Sequence, residues 1–164
     1  SILFEALRGL PEQAFELTII GPMADGHDIL AANPGRFRYF PFLHHETLVR
    51  HYQQADVFVF PSLLDSWAQT VLEAMACGTP AIVSENTGSK DAVRQGGGWV
   101  IPANDPGALQ ACIRFCLENP EAVEMAGREA QRIAQNYTWA AYHTYLIQVL
   151  EEIERRENTR RAHH

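Results

Sequence analysis

Five short apolar segments, rich in β-branched and aromatic residues, constrain the fold of this chain more than any other feature. Most of them end at Gly, Pro or Ser, residues that close strands and begin turns. Their length and composition are typical of buried β-strands. The segments cover residues 15–20, 36–40, 56–60, 80–84 and 98–101.

Helix-length segments separate these strands, and after Pro102 the pattern becomes entirely helical. The predicted helices cover residues 25–32, 46–54, 67–77, 89–95, 106–118, 120–136 and 139–156. Strands that alternate with helices in this way indicate βαβ units. We therefore predict an α/β fold with a Rossmann-like, doubly wound and mainly parallel sheet, in a single domain covering residues 1–164.

The first predicted element is a helix over residues 1–9, whereas a sheet of this kind begins with a strand. We therefore expect the first strand of the domain to be missing from the chain. In doubly wound sheets, ligands bind beyond the carboxyl ends of the strands. The loops of interest are thus 21–25, 41–46, 61–67 and 85–89.

Composition and charge narrow the class of function. The formal net charge is −7, which argues against nucleic acid as the main partner, because binding to a phosphate backbone needs a basic face. No apolar run approaches the roughly 20 residues of a membrane-spanning helix, and the start of the chain lacks signal-peptide features. The three cysteines are predicted to be reduced, mostly as small core residues. We expect a cytoplasmic protein.

Residues 60–80 carry most of the chemical information. A strand ends at Pro61, the carboxylate Asp65 follows in a loop, and a helix begins soon after. The free N–H groups of a first helical turn lie at the positive end of the helix dipole and can hold a phosphate. We predict that the amides of Ala68, Gln69, Thr70 and Val71 form such a cradle.

Glu73 lies about one turn beyond these amides. A carboxylate at this place can accept hydrogen bonds from the vicinal hydroxyls of a ribose, as the acidic residue of a dinucleotide-binding fold does. A structural alternative stays open on spacing alone. Asp65 or Ser66 could cap the helix, and Glu73 could be a solvated helix residue.

This segment resembles the signature of retaining glycosyltransferases of the GT-B fold, the glycosyl transferases group 1 family. The signature is an acidic residue, seven further residues and a Glu, which begins the phrase Glu-Ala-Met-Ala-Cys-Gly-x-Pro. Asp65 and Glu73 take the two acidic positions, and residues 73–80 match the phrase. Further landmarks of the family are matched at residues 45–62, 96–102, 105–106 and 137–139. The chain thus resembles the C-terminal, nucleotide-sugar-binding domain of this family over nearly its whole length.

The resemblance implies that two carboxylates are the catalytic candidates. Glu73 would hold the ribose hydroxyls of a nucleoside diphosphate sugar, and Asp65 would contact the sugar that is transferred. The amides near Gln69 and Thr70 would bind the diphosphate. The family needs no metal, and the nucleoside diphosphate sugar is a substrate, so we expect no cofactor.

The loops after the first two strands are also implied to lie near the donor. Phe42 and Leu43 would contact the nucleobase, largely through backbone atoms. Gly21 would lie near the donor in a tight turn at the end of a strand.

Three departures from the family pattern stand out. The first acidic residue is Asp65 rather than the commoner Glu, which shortens its reach. Ser66 and Ala68 stand where small residues, often Gly, are usual, so close approach of the backbone is less free. An Arg and a Lys that normally neutralise the diphosphate would lie before Ser1.

Other candidate sites are weaker. The glycine run 96–98 follows a helix and precedes a strand, so it is predicted to be a turn rather than a phosphate loop. His44, His45 and Glu46 lack the further ligands of a metal site. We interpret Trp99 and Trp139 as core anchors, and Trp67 as a candidate lining of the sugar pocket.

The resemblance implies a parent enzyme that transfers a sugar from a nucleoside diphosphate sugar to an acceptor, with retention. This chain would be the donor-binding half, inactive alone, and its helices 120–156 would pack in part toward a missing N-terminal acceptor-binding lobe. That lobe could also bring peripheral contact with the inner face of a membrane. Two alternatives are a nucleotide-sugar epimerase of the same fold and a non-catalytic nucleotide-binding or interaction module. The base, the sugar and the acceptor are not identified by the sequence.

Overall fold

The five predicted strands are present in the structure, although four of them are shorter than predicted. A computed structural model of the chain describes residues 2–22, 28, 31–33, 35 and 37–161, apart from the side chains of residues 154 and 156–161. The strands are β1 (Thr18–Ile20), β2 (Arg38–Phe40), β3 (Phe58–Phe60), β4 (Ala81–Ser84) and β5 (Gly98–Ile101).

Helices flank and follow these strands as predicted, but the predicted helix 25–32 lies mostly outside the described residues. The described helices are α1 (Ile2–Leu7), α2 (His45–Gln54), α3 (Gln69–Ala76), α4 (Lys90–Ala92), α5 (Pro106–Glu118), α6 (Pro120–Ala134) and α7 (Trp139–Arg161). A 3₁₀ turn (Glu12–Ala14) precedes β1, and a π-helical turn (Val93–Gly97) joins α4 to β5. Gly96 and Gly97 therefore lie in a turn, as predicted, whereas Gly98 is the first residue of β5. Asp105 begins α5 and accepts a hydrogen bond from the Ala108 N–H at 2.9 Å, as expected of an N-cap.

The strands form two parallel sheets rather than one. β1 pairs with β2, and β4 pairs with β3 on one side and β5 on the other. A cavity of about 660 Å³ lies where the two sheets approach one another, lined by Leu17 just before β1 and by Val57 and Val59 at β3. The prediction of a mainly parallel sheet is confirmed. The expected further strand stays a prediction.

Helices cover both faces of the three-stranded sheet, which makes the fold doubly wound. Ala81 and Val83 of β4 pack into one core with residues of α3, α4 and α6. Ile82, whose side chain points to the opposite face, packs into a second core with residues of α1 and α5. β4 is therefore buried along its whole length. The carboxyl ends of β3 and β4 thus lie at an edge of the sheet that helices support on both faces.

Two features of the helices differ from the predictions. α3 begins at Gln69 rather than at residue 67, because Ala68 has the left-handed backbone conformation (φ 52°, ψ 64°) that a helix cannot include. The interpretation of Trp139 as a core anchor is wrong, since 72% of its surface is exposed on α7. Trp99, by contrast, does pack against the second core and against Phe115.

The three cysteines are free thiols, and they differ in burial. Cys116 is buried in the second core, whereas Cys77 and Cys112 are half-buried. The prediction of small core residues is thus fully met only at Cys116.

Candidate functional site

The loops that follow β3 and β4 form the framework of the candidate site. Because these two strands are parallel neighbours, their carboxyl ends lie at the same edge of the sheet. The first loop, residues 61–68, leads into α3, and the second, residues 85–89, leads into α4. The site residues predicted in residues 65–73 all belong to the first loop and to α3.

Asp65 caps the turn that leads into α3. Its Oδ1 accepts hydrogen bonds from the N–H of Trp67 at 2.9 Å and from the N–H of Ala68 at 2.5 Å. Asp65 thus caps the turn before α3 and not α3 itself, whose N-cap is Ala68 and which no side chain caps. Its other oxygen, Oδ2, has no hydrogen bond within the part of the chain that the structure describes. A contact between Oδ2 and a sugar stays a prediction.

Backbone hydrogen bonds join the loop after β3 to the loop after β4. The Asp65 N–H donates to the Asn86 carbonyl at 3.2 Å, and the Gly88 N–H donates to the Asp65 carbonyl at 3.0 Å. The Asn86 side chain donates to the Leu63 carbonyl at 3.1 Å. Gly88 is required here, because a Cβ at this position would lie 1.9 Å from the Ser66 carbonyl oxygen. Asp65 is thus fixed from two sides.

Buried hydroxyl groups at the end of β4 and in the loop after it stabilise this pair of loops. Ser84 at the end of β4 donates a hydrogen bond to the Ser62 carbonyl and lies 3.1 Å from the hydroxyl of Thr87. Ser84 and Thr87 are both buried. The loop after β4 was predicted to be of interest, but this network was not predicted. The glycine at position 88 was the available signal in the sequence.

The start of α3 leaves two backbone amides for a ligand. Of the four predicted amides, that of Ala68 donates to Asp65 and that of Val71 donates to the Ala68 carbonyl at 2.9 Å. The predicted cradle therefore narrows to the N–H groups of Gln69 and Thr70, two exposed residues. The left-handed conformation of Ala68 costs about 1–2 kcal/mol in a residue other than glycine. The hydrogen bond to Asp65 helps to hold it.

Glu73 lies on α3 one turn beyond these amides and is half-buried. Its Oε2 is 3.5 Å from the hydroxyl of Tyr52, which donates to it from α2. Burial, followed by the negative charge of Glu73, raises the pKa of Tyr52 to about 12. Burial and the same charge also raise the pKa of the Cys77 thiol. Tyr52 was not predicted from the sequence, because a contact between residues on two helices leaves no local pattern.

Phe42 and Leu43, predicted to meet the nucleobase, follow β2, and Gly21, predicted to lie near the donor, follows β1. The Gly21 N–H donates to the Phe40 carbonyl, and the Gly21 carbonyl accepts from the Tyr39 hydroxyl, both at 3.0 Å. The side chain of Phe42 is 71% exposed, and Leu43 is half-buried. Their contacts with a donor stay predictions.

Trp67, the candidate lining of the sugar pocket, is half exposed beside the Asp65 turn. Its ring packs at an angle against Tyr137, with 6.2 Å between ring centroids. The hydroxyl of Tyr137 accepts a hydrogen bond from the side chain of Gln95. A role of Trp67 toward a sugar stays a prediction.

No group of three or more His, Cys, Asp or Glu side chains is arranged to hold a metal ion in the described part of the chain. Over the same residues, no helix has both the length and the apolarity needed to cross a bilayer.

Relatives of the chain are found by sequence. The model of the family described as glycosyl transferases group 1 matches residues 1–133. A D-inositol 3-phosphate glycosyltransferase of Geodermatophilus obscurus is 38% identical over 103 residues, which cover 62% of this chain and 22% of that protein. The protein of the same name from Salinispora tropica is 32% identical over 163 residues, covering 92% of this chain and 34% of that protein.

Solved structures share the fold. Sucrose-phosphate synthase from Thermosynechococcus elongatus matches with a TM-score of 0.75 at 24% identity, over 92% of this chain and 42% of that one. The Anabaena protein HepE, in complex with UDP and glucose, matches with a TM-score of 0.78 at 20% identity, over 92% and 44%. The chain thus spans less than half the length of these relatives and neighbours. The match of the family model over residues 1–133 shows that the chain belongs to the glycosyl transferases group 1 family.

Proposed function

We propose that this chain is the donor-binding, C-terminal half of a retaining glycosyltransferase that uses a nucleoside diphosphate sugar. Membership of the family supports sugar transfer as the reaction class. The neighbour HepE was solved with UDP and glucose, which supports a nucleotide sugar as the donor.

The observation that carries the proposal is the arrangement at the start of α3. Asp65 uses one oxygen to cap the turn, and two amides, those of Gln69 and Thr70, begin the helix beyond it. Glu73 follows one turn later. A phosphate-binding helix start and a hydroxyl-binding carboxylate therefore lie about 5.4 Å apart along one helix.

The chemistry that we assign to these groups is electrostatic. The N–H groups of Gln69 and Thr70, at the positive end of the helix dipole, would stabilise charge on the departing diphosphate. Glu73 would accept hydrogen bonds from the ribose hydroxyls, and Oδ2 of Asp65 would accept one from the transferred sugar. Because both substrates must be held in a reactive geometry, we propose that the chain alone does not catalyse transfer.

The exposed face of α7 fits a partner domain. Its exposed large apolar side chains are Trp139, Tyr142, Tyr145, Leu146, Ile147, Leu150 and Ile153. A patch of this kind on a helix is typical of a surface that packs against protein. We propose that an acceptor-binding lobe covers it and that the enzyme works in the cytoplasm, with peripheral membrane contact through that lobe.

NMR titration of the chain with UDP, GDP and ADP tests the proposal directly. For at least one nucleotide we expect amide shifts at Gln69–Glu73 and at Phe42–Leu43. Glu73→Gln should weaken binding about ten- to hundredfold, because a hydrogen bond to a charged acceptor contributes roughly 1.5–3 kcal/mol. Glu118→Gln, the same change at an exposed site on α5, is the matched control and should leave affinity unchanged.

Several outcomes would contradict the proposal. Shifts confined to Gly96–Gly98 would mean that the wrong loop has been assigned. Equal affinity of wild type and Glu73→Gln would remove Glu73 from the site. Sugar transfer by the isolated chain would contradict the division into two halves.

A further inference from the structure

We propose that Tyr52 is a positioning residue for Glu73, which it holds by a hydrogen bond from its hydroxyl to Glu73 Oε2. The other carboxylate oxygen, Oε1, is then presented to the ribose hydroxyls of the donor. This inference rests on the proposed function, since it gives a purpose to Glu73 that only a bound nucleotide uses. The contact itself can be tested without a nucleotide.

Tyr52 is the one buried residue of α2. It is 7% exposed, whereas the rest of that helix is half-buried or exposed. Its ring packs edge-on against Phe58 of β3, with 5.6 Å between centroids. Its carbonyl accepts a hydrogen bond from the buried hydroxyl of Thr79 at 2.5 Å. The phenol tip is therefore fixed relative to β3 and to the segment that joins α3 to β4.

Glu73, by contrast, has three rotatable side-chain bonds and is only half-buried. Without a partner its carboxylate would sample several rotamers, and binding would carry the entropic cost of selecting one. The Tyr52 hydroxyl removes much of that freedom before the ligand arrives. A carboxylate has about four acceptor sites on two oxygens, so one bond to Oε2 leaves room for two ribose hydroxyls.

The protonation state of Tyr52 suits this role. Burial and the charge of Glu73 raise its pKa to about 12, so the phenol keeps its proton near neutral pH. It can then act only as a donor toward a carboxylate, which accepts. α2 also reaches the other sheet, because His51 packs against Phe40 of β2 with 5.2 Å between ring centroids. Tyr52 therefore ties the donor-binding carboxylate to a helix that contacts both sheets.

The first test compares ribose with its deoxygenated form. Tyr52→Phe keeps the packing of the ring but removes the hydroxyl that donates to Glu73. We expect it to weaken binding of UDP, GDP or ADP about three- to tenfold. The same variant should bind the matching 2′,3′-dideoxynucleoside diphosphate, which lacks the ribose hydroxyls, as tightly as the wild type does. In a Glu73→Ala background, which leaves no acceptor for the Tyr52 hydroxyl, Tyr52→Phe should have no further effect. Tyr142→Phe, the same change at an exposed residue of α7, is the control.

A purely structural role would weaken both nucleotides equally, and that result would overturn the inference while leaving the proposed function intact. If wild-type protein binds none of the three nucleotides, the proposed function fails instead.

The second test needs no ligand. Following the ¹³Cζ signal of Tyr52 with pH, we expect ionisation near pH 12 in the wild type and at lower pH in Glu73→Gln. An unchanged titration of Tyr52 in that variant would show that the contact with Glu73 does not form, and would overturn the inference whatever the nucleotide does.

Discussion

The two parallel sheets of this molecule differ in how deeply they are buried. Every residue of β4 is buried, and helices pack on both faces of its sheet. In β1 and β2 every residue is half-buried or exposed. The loops follow the same division. The loops after β3 and β4 are tied to each other by backbone hydrogen bonds, whereas the loop after β2 presents Phe42 to solvent.

This difference matters because the proposed donor spans both regions. The diphosphate and the sugar would meet the rigid loops beside β3 and β4, where charge must be stabilised in a fixed geometry. The nucleobase would meet the open loop beside β2. A preorganised site for the phosphate end and an adaptable one for the base end would allow the base to vary without disturbing the reacting groups.

The largest expected effect comes from a matched pair of glycines, one from each sheet. Gly98 and Gly21 both have positive φ, at 146° and 138°, so alanine strains both backbones. A Cβ on Gly98 would lie 1.9 Å from the Ala81 carbonyl oxygen, whereas one on Gly21 meets nothing within 4 Å. We expect Gly98→Ala to lower the free energy of unfolding by about 2–5 kcal/mol, the sum of strain and overpacking.

Gly21→Ala, which adds only backbone strain, should cost about 1–2 kcal/mol. Urea unfolding followed by circular dichroism measures both variants. Equal losses would mean that the two sheets do not differ in packing as the structure shows.

A middle effect is expected at the Asp65 turn. Asp65→Ala removes the acceptor for two backbone N–H groups and should lower the free energy of unfolding by about 1–2 kcal/mol. Asp65→Asn keeps an acceptor oxygen, so its stability should be close to that of the wild type. Asp105→Ala, which removes the cap of α5, is the control for loss of a cap remote from the proposed donor site.

The two roles of Asp65 separate in the complete enzyme. If Oδ2 binds the transferred sugar, Asp65→Asn should lower kcat about ten- to hundredfold, because the lost bond to a charged acceptor contributes roughly 1.5–3 kcal/mol. Intact turnover in Asp65→Asn, together with a loss of stability in Asp65→Ala, would instead leave Asp65 with its capping role alone.

Local chemistry explains how much of the fold could be predicted from the sequence. Strand ends were predicted well because Pro41, Pro61 and Pro102 mark them, and Asp105 with Pro106 marked the start of α5. Strand starts were less accurate. Residues 15–17 look like a strand, but pairing between β1 and β2 begins only at Thr18.

Long-range geometry accounts for what the sequence did not predict. The left-handed conformation of Ala68 is set by the loop around it and not by alanine itself, so the true start of α3 was hidden. The same holds for Tyr52 and Glu73, which meet across two helices. Trp139 was misread because the pattern of a helix shows which face is apolar but not whether anything covers it.

The smallest expected effect lies in the open region, at Phe42. Because 71% of its surface is exposed, Phe42→Ala should change the free energy of unfolding by no more than about 0.5 kcal/mol. Nucleotide affinity should also stay within about twofold, since the proposed base contacts come from the backbone of residues 42 and 43. Isothermal titration calorimetry with the best-bound nucleoside diphosphate measures this affinity, with Phe115→Ala, another exposed phenylalanine, as control.

Stacking of the base on the Phe42 ring would instead contribute roughly 1–3 kcal/mol. A loss of that size in Phe42→Ala alone would show that the open region binds the base through a side chain, and that the base end of the site is less adaptable than the comparison of the two sheets implies.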